Sequence, residues 1–528
     1  MFNIPTQRLA KVTVTEVTSA VTLSVNPIVI AALSFTPRHL VVRTNVQATT
    51  GTPNMFVNFN GDTGSNYDIQ ALEGYSSSLL AFRGNAAYLN LTDAIPSTSN
   101  VFSSDETLLP DALSTRSHKS VLSFNGRVEA NVRVAAGRWA STAAITSITL
   151  YTSAEAFAAG STFELCVVDE SFNIDQDGDG EQILGSDGTF SVGSISAADG
   201  DLVCIGNVRG ARSGAAENLR LSFNGVTSGT PFPSQLLYGS STTAAALALD
   251  TLPGYVGEGI SGNTATTGAF GGFVSQVTNF SDGSNHRVAT TLCGHDQTGV
   301  SVSSMEWEAA TAISSLKFEG GNTANFLTGS MLSTYAVPKN LITRTELGSA
   351  AASVTFSSIP QTYDHLEVSW YSNSDEDVTA LRGVSTTFNG DTGTNYAAQV
   401  LEGTGSSIGA ASLTGQTDMP FAALTQGTGG AANEMSGGSF TVQNYTKTDR
   451  HKHLLAAYGV PAQRLHFGSN RWASTAAVTS ITLTQDGSGD FITGSVFTLR
   501  GIHSTVAAAA TDIETINGIA AADIEAVN

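Results

Sequence analysis

The segment Asp175-Gln176-Asp177-Gly178-Asp179-Gly180-Glu181 places carboxylates at alternate positions, with glycine where a sharp bend is needed. This D-x-D-x-D-G pattern is the first half of a calcium loop. A hard cation takes oxygen ligands, which Asp175, Asp177, Asp179 and Glu181 would supply. The twelfth position, normally a bidentate glutamate, is Ser186. The competing reading is a solvated acidic linker, and calcium is the only cofactor the sequence suggests.

The pairs His118-Lys119, His286-Arg287 and His451-Lys452 combine an imidazole with a cation, as a site for an acidic partner would. The simpler expectation is a residue that opens a strand and hydrogen-bonds a loop. His451 and His453 alternate onto one strand face, but no third metal ligand lies near them in sequence. Trp139, Trp307 and Trp472 could stack on sugars, yet their fixed distance from an apolar strand pair favours core anchors. Cys166, Cys204 and Cys293 are odd in number and form no CxxC, so buried free thiols are expected. A nucleophile elbow, P-loop, HExxH and dinucleotide fingerprint are absent from the sequence. Paired carboxylates for glycan cleavage need only meet in space, which keeps a glycan hydrolase as the weakest alternative. The expectation is a protein without catalytic residues.

The elements that must position these residues are strands. At 528 residues the chain is too long for one core. Only 13% of residues are charged, which excludes a helical-bundle composition, and 41% are hydrophobic, which excludes a disordered one. Short β-branched runs broken by Gly, Asn and Asp read as all-β. A net charge of −21 argues against a nucleic-acid partner and for solubility through self-repulsion. Met1–Val12 lacks the apolar core of a signal peptide, and Val21–Phe35 is interrupted and too short to span a bilayer. Neither classical secretion nor membrane insertion is expected.

Internal repetition organises the chain. Phe59-Asn60-Gly61-Asp62-Thr63-Gly64-Ser65-Asn66-Tyr67, followed by Leu72-Glu73-Gly74, returns at Phe388–Tyr396 with Asn389 and Gly390, followed by Leu401-Glu402-Gly403. A worn copy lies at Phe223-Asn224-Gly225, then Leu236 and Gly239. Asn-Gly predicts a two-residue hairpin turn, because both central residues need positive φ. Arg138–Leu150 returns as Arg471–Leu483, and Trp307, Ile313, Leu316 and Phe318 keep the same internal spacing. Each copy then closes on a Gly-Ser and a strand, and in each the histidine stands 21 residues before the tryptophan. The spacing predicts three tandem jelly-roll-like β-sandwich domains at 1–170, 171–338 (diverged) and 339–505, each of roughly eight strands. The Gly/Ala/Ser-rich stretch Gly403–Gly438 reads as a long loop decorating its sandwich. Tyr75, Phe82 and Tyr88 likewise read as loop aromatics. Sandwich edges are poorly shielded, so such modules are suited to packing on neighbours.

The chain resembles a family of tailed-phage virion proteins whose pattern is FNGDTGxNY, then GxWxSxxAITSITL, then GSxFxLxGI. Phe59–Tyr67, Gly137–Leu150 and Gly160–Leu165 carry it, as do Phe388–Tyr396, Arg471–Leu483 and Gly494–Ile502. The middle module lacks the Asp and Tyr of the first motif. The repeated tail Asp512–Gly518 and Asp523–Asn528 is similar to the ends of many phage structural proteins. The resemblance implies a structural part of the virion, assembled in the host cytoplasm through protein–protein contacts. It would be tail-associated (fibre, spike or adaptor) or a capsid-surface decoration. Its expected partners are other virion proteins and further copies of itself. The alternative is a carbohydrate-binding adhesin that meets a host surface glycan.

After Ile502 the third module is complete, and residues 506–528 follow. Ile513, Ile516, Ile519, Ile524 and Val527 are too few to form a core, so this extension is expected to dock on a neighbouring subunit or partner. The calcium reading has its own test. If Asp175, Asp177 and Asp179 hold the ion, a chelator lowers the melting temperature or loosens the angle between the first two modules in small-angle scattering. Unchanged melting and scattering would leave the acidic linker.

Overall fold

The computed structural model describes residues 2–502 apart from 3, 93, 175–180, 196–199, 227–231, 252, 296–298, 339–341, 377–380, 426–434 and 461–462. It also describes the backbone of 515–516 and 519–520. The first module holds twelve strands: β1 (Thr6–Thr13), β2 (Ala20–Ser24), β3 (Leu40–Val46), β4 (Met55–Phe59), β5 (Tyr67–Tyr75), β6 (Ser78–Ala86), β7 (Leu89–Thr92), β8 (Ser103–Leu109), β9 (Lys119–Arg127), β10 (Asn131–Trp139), β11 (Ser147–Thr152) and β12 (Thr162–Val168). β13–β24 run between Gln182 and Pro338, and β25–β36 between Thr343 and Ile502. Each strand has counterparts numbered twelve and twenty-four higher, in the same sheet positions.

One sheet has the order β1-β12-β3-β8-β9-β10-β5-β6 and the other β2-β11-β4-β7. The four strands β1-β12-β3-β8 facing β2-β11-β4-β7 are a jelly roll, two interleaved Greek keys. The hairpins β5–β6 and β9–β10 are insertions that widen the first sheet to eight strands. This raises the expected eight strands per module to twelve. The stretch Gly403–Gly438 illustrates why: its described residues are mostly strand, β30 (Ser407–Gln416) and β31 (Met419–Thr425). Small residues there look like loop, but they are residues that a strand crowded by neighbours tolerates.

The narrow sheet alternates. In β11 Ile148 and Leu150 point into the core while Thr149 faces out and shares a 2.9 Å hydrogen bond with Thr22. The wide sheet does not alternate in polarity, because both of its faces are covered. In β10, Ala135 and Trp139 enter the core of their own sandwich while Val132, Val134 and Ala136 enter a second, central core. That central core draws on all three modules: Leu72, Leu122 and Phe124 from the first, Leu237, Val274 and Leu292 from the second, Leu401, Leu455 and Phe467 from the third. Each fully buried large side chain contributes roughly 1.5–3 kcal/mol. Phe2 and Ile4 join it from the N-terminal segment.

Asn60-Gly61 has the positive φ expected of it, 53° and 69°, but the turn is not a hairpin. β4 and β5 lie in different sheets, so the turn is a corner that carries the chain across the sandwich. The Asn60 side chain holds it, accepting from Thr146 N (2.8 Å) and Ser147 N (3.1 Å) and donating to Ala144 O (2.8 Å). Asn224 and Asn389 make the same bonds with Ser314, Ser315 and Ala312, and with Thr479, Ser480 and Ala477. The structural counterpart of Leu72 in the middle module is Leu237, not Leu236, since Leu72 is opposite Val134 and Leu237 opposite the equivalent Val302.

The modules close into a ring. Gln70 bonds the backbone of Ser241 in module two (3.1 and 3.0 Å), and Gln235 bonds Gly405 in module three (2.9 and 2.9 Å). Gln399 donates to Ser76 O in module one (2.9 Å). Contacts that repeat in the order one–two, two–three, three–one define a head-to-tail interface that closes at three members. Gly126, Gly294 and Gly459 lie at the same contacts. A Cβ on Gly126 would sit 2.4 Å from the Ser469 Cβ of module three and no closer than 3.5 Å to its own module. Gly126→Val is therefore expected to separate the modules while each sandwich stays folded. Scanning calorimetry should then show the single transition split, and small-angle scattering should show expansion. One unchanged transition at the wild-type radius would refute ring closure through this contact.

Candidate functional site

Buried titratable side chains mark each of the three junctions between modules. The position just before the first core leucine of each wide sheet is His39, Asp201 or His365. Each accepts a hydrogen bond from a backbone N–H held at positive φ: Asp111 N to His39 Nδ1 (3.0 Å), Asn279 N to Asp201 Oδ1 (3.0 Å) and Asn444 N to His365 Nδ1 (3.1 Å). Each then reaches the next module. His39 meets Ser333 (3.2 Å), Asp201 meets Arg500 (3.2 Å) and His365 meets Glu164 (2.8 Å). Because Nδ1 accepts, the network assigns the proton of His39 and His365 to Nε2.

The third-to-first junction is the most charged. Lys11 lies 2.9 Å from Asp364 and 3.2 Å from Glu164, and Arg8 lies 3.1 Å from Asp364. Burial alone would raise the Glu164 carboxyl, but His365, Lys11 and Arg8 hold it well below the usual range. Burial would likewise lower Lys11, and Glu164 and Asp364 raise it instead. Arg450 crosses the same junction to Asn45 Oδ1 (2.8 Å) and Gly160 O (2.7 Å). At the first-to-second junction Glu181 receives both Arg38 and Arg116, the latter at 2.6 Å. Burial outweighs the two guanidiniums and leaves its carboxyl raised.

This corrects one calcium ligand. Glu181 is spent on two arginines, and Asp175, Asp177 and Asp179 lie outside the described residues. Among the described residues no group of three His, Cys, Asp or Glu is placed to hold a metal. His118, His286 and His451 stand just before β9, β21 (Arg287–His295) and β33 (Lys452–Val460) and bond the next module, two of them at a loop and His286 at a strand. His118 N donates to Gly268 O (3.0 Å), His451 N donates to Asn100 O (2.9 Å), and His286 O accepts from the Tyr371 hydroxyl. His453 is buried in β33 on Ser469 Oγ (2.8 Å), and burial drops it to about 3. The three cysteines are buried thiols, and burial pushes Cys166 and Cys293 up to about 12.

Trp139, Trp307 and Trp472 are 3%, 2% and 2% exposed, at equivalent strand ends. The indole of Trp139 donates to Asp62 and that of Trp472 to Asp391, both at 2.7 Å. The middle module carries Val226 in that place, and Trp307 Nε1 has no partner among the described residues. Tyr75 and Phe82 sit on β5 and β6 rather than in a loop, and Tyr88, between β6 and β7, stacks on Phe56 at 4.1 Å. Of the C-terminal five, Ile516 and Ile519 pair by backbone in a short antiparallel ladder. Ile513, Ile524 and Val527 lie outside the described residues.

Fold and junctions define a class: an all-β protein of three jelly rolls fused into one closed body. No family model and no curated protein matches the chain. Among solved structures it is similar to domains LG4-5 of the mouse laminin alpha1 chain. That match has 11% identity and a TM-score of 0.15, over 64% of this chain and 92% of that one. It is also similar to a mutant of the GH43 protein BlXynB from Bacillus licheniformis. There the identity is 7% and the TM-score 0.18, over 91% of this chain and 100% of that one. Scores this low carry no argument about fold or function.

His39 makes the junctions testable by pH. Burial, then Arg38 and Arg116, lower it from 6.5 to about 3. Between those values the unfolded chain binds a proton that the folded chain refuses, so stability falls as pH drops from about 6.5 toward 3, by at most about 1.4 kcal/mol per pH unit. His39→Gln keeps an acceptor and a donor but does not titrate. Denaturant melts at pH 7 and pH 4 should show the wild type losing more stability than the variant. Equal losses would remove His39 from the account.

Proposed function

We propose that this chain is a structural component of a phage virion that acts by protein–protein assembly, as a tail-associated part or a capsid-surface decoration. The observation that carries the reading is ring closure. Buried side chains at each junction hold three sandwiches as one body, and modules joined through a shared apolar core do not hinge. The repeated FNGDTGxNY and WxSxxAITSITL motifs support the same reading by resemblance.

A second reading, a glycan-binding adhesin, is favoured by one observation. Tyr75 is 49% exposed beside Leu80 at 50%. At the same positions the other modules carry Ser240 and Ala245, and Thr404 and Gly409. An exposed aromatic in one module only is what a sugar-stacking site would need.

Symmetry-resolved imaging of intact particles tests the first reading. It should reveal a compact body of three similar lobes, at a fixed location, into which this structure fits. Purified particles that lack the chain by mass spectrometry would overturn it. Glycan-array binding abolished by Tyr75→Ala would establish the second.

A further inference from the structure

Modules one and three have diverged in the strand that lines the central core and stayed alike in two stretches that run from the sandwich core to the surface. Asn131–Gly137 of β10 and Arg464–Asn470 of β34 (Arg464–Trp472) occupy the same core position and share no residue. Phe59–Tyr67 and Phe388–Tyr396 differ only at Ser65/Thr394, and Arg138–Leu150 and Arg471–Leu483 only at Ile145/Val478. Recent duplication would have left both regions alike, so something has held the second region still.

Part of that region has internal work. Asn60 holds the corner, Asp62 receives Gly64 N, Asn66 and Trp139, and Tyr67 donates to Asp62 O. Another part has none. Thr63, Thr142 and Ala143 are exposed, and the two threonine hydroxyls make no hydrogen bond among the described residues. The two loops adjoin, with Ala140 N donating to Asn66 O at 2.8 Å. The middle module serves as an internal control. It makes the same corner at Asn224-Gly225, yet carries Val226 for Asp62 and Glu308-Ala309-Ala310-Thr311 for Ala140-Ser141-Thr142-Ala143. The fold therefore does not require the retained surface residues.

We propose that these loops, 61–66 with 140–146 and 390–395 with 473–479, are two copies of one contact surface, and that its occupant is a second copy of this chain. The exposed atoms are hydroxyls, small methyls and backbone. No large apolar side chain is exposed for lipid, no aromatic for a sugar and no cation for phosphate. The one carboxylate, Asp62 or Asp391, is spent on its own loop. A hydroxyl both donates and accepts, so a surface of hydroxyls is complementary to itself. Elsewhere a net charge of −21 opposes self-contact. Two such surfaces per chain link copies into rows, whereas a single one would stop at pairs. The inference rests on the assembly reading above, but it is measured in solution. Particles lacking the chain would sink that reading without touching this one.

The test uses the full chain and arginine at three aligned, exposed positions: Ala143→Arg, Ala476→Arg and, in the middle module, Thr311→Arg. Sedimentation velocity across a hundredfold range of concentration should show the wild type growing beyond dimers, more so at high salt, which screens the charge. Each of A143R and A476R should stop at dimers, the double variant should stay monomeric, and T311R should match the wild type, all at unchanged melting temperature. A wild type that stays monomeric at high salt would overturn the proposal, as would a double variant that associates like the wild type. Binding to other virion proteins without self-association would overturn it as well.

Discussion

The inserted hairpins β5–β6 and β9–β10 turn one face of each jelly roll toward the other two, and that face is apolar. Once Leu72, Phe124, Leu237 and Leu401 stand on it, water must be excluded from the whole surface, and a single sandwich cannot do that alone. Three sandwiches can, by covering one another in turn. The other features at the junctions follow from this. Strands must approach closely, so glycine recurs at 126, 294 and 459. Turn backbones brought against a neighbouring module find a partner in a buried glutamine, and glutamine recurs at 70, 235 and 399.

The charged junctions sit at the rim of this core. Buried ion pairs such as Lys11–Glu164 gain little net stability, because desolvation offsets attraction, yet losing one partner strands a buried charge. We read them as devices of pairing order. The three junctions have the same shape and different chemistry: histidine to serine, aspartate to arginine, histidine to glutamate. A module placed at the wrong junction would leave unmatched charge in the dry region.

Three sandwich modules were legible in the sequence, and the reason is the repeat; their closure into a ring was not. Equal spacing from histidine to tryptophan fixed three copies, and Asn-Gly fixed a turn with positive φ at both residues. What the turn joined was not legible. A corner between sheets and a hairpin within one need the same two residues, and only register separates them. The extra strands were missed because small residues resemble loop when the crowding that selects them comes from another module. The glutamine triad did leave a trace: Gln70, Gln235 and Gln399 each stand two residues before an interface leucine, and a polar residue kept mid-strand in every copy has a partner. The junction acids and bases left a weaker one, since Asp201 stands where the other two copies have histidine.

The third-to-first joint is built like the other two although no linker crosses it. Connecting peptide is therefore not what holds neighbouring modules together, and a ring of three such joints has no physical first member. Circular permutation, which moves the cut from one joint to another, would exchange which seam is covalent and leave the three joints as they are, with only the N-terminal Phe2 and Ile4 displaced from the core. Which lobe sits beside which is thus set by the joints and not by the order in which the chain writes the modules.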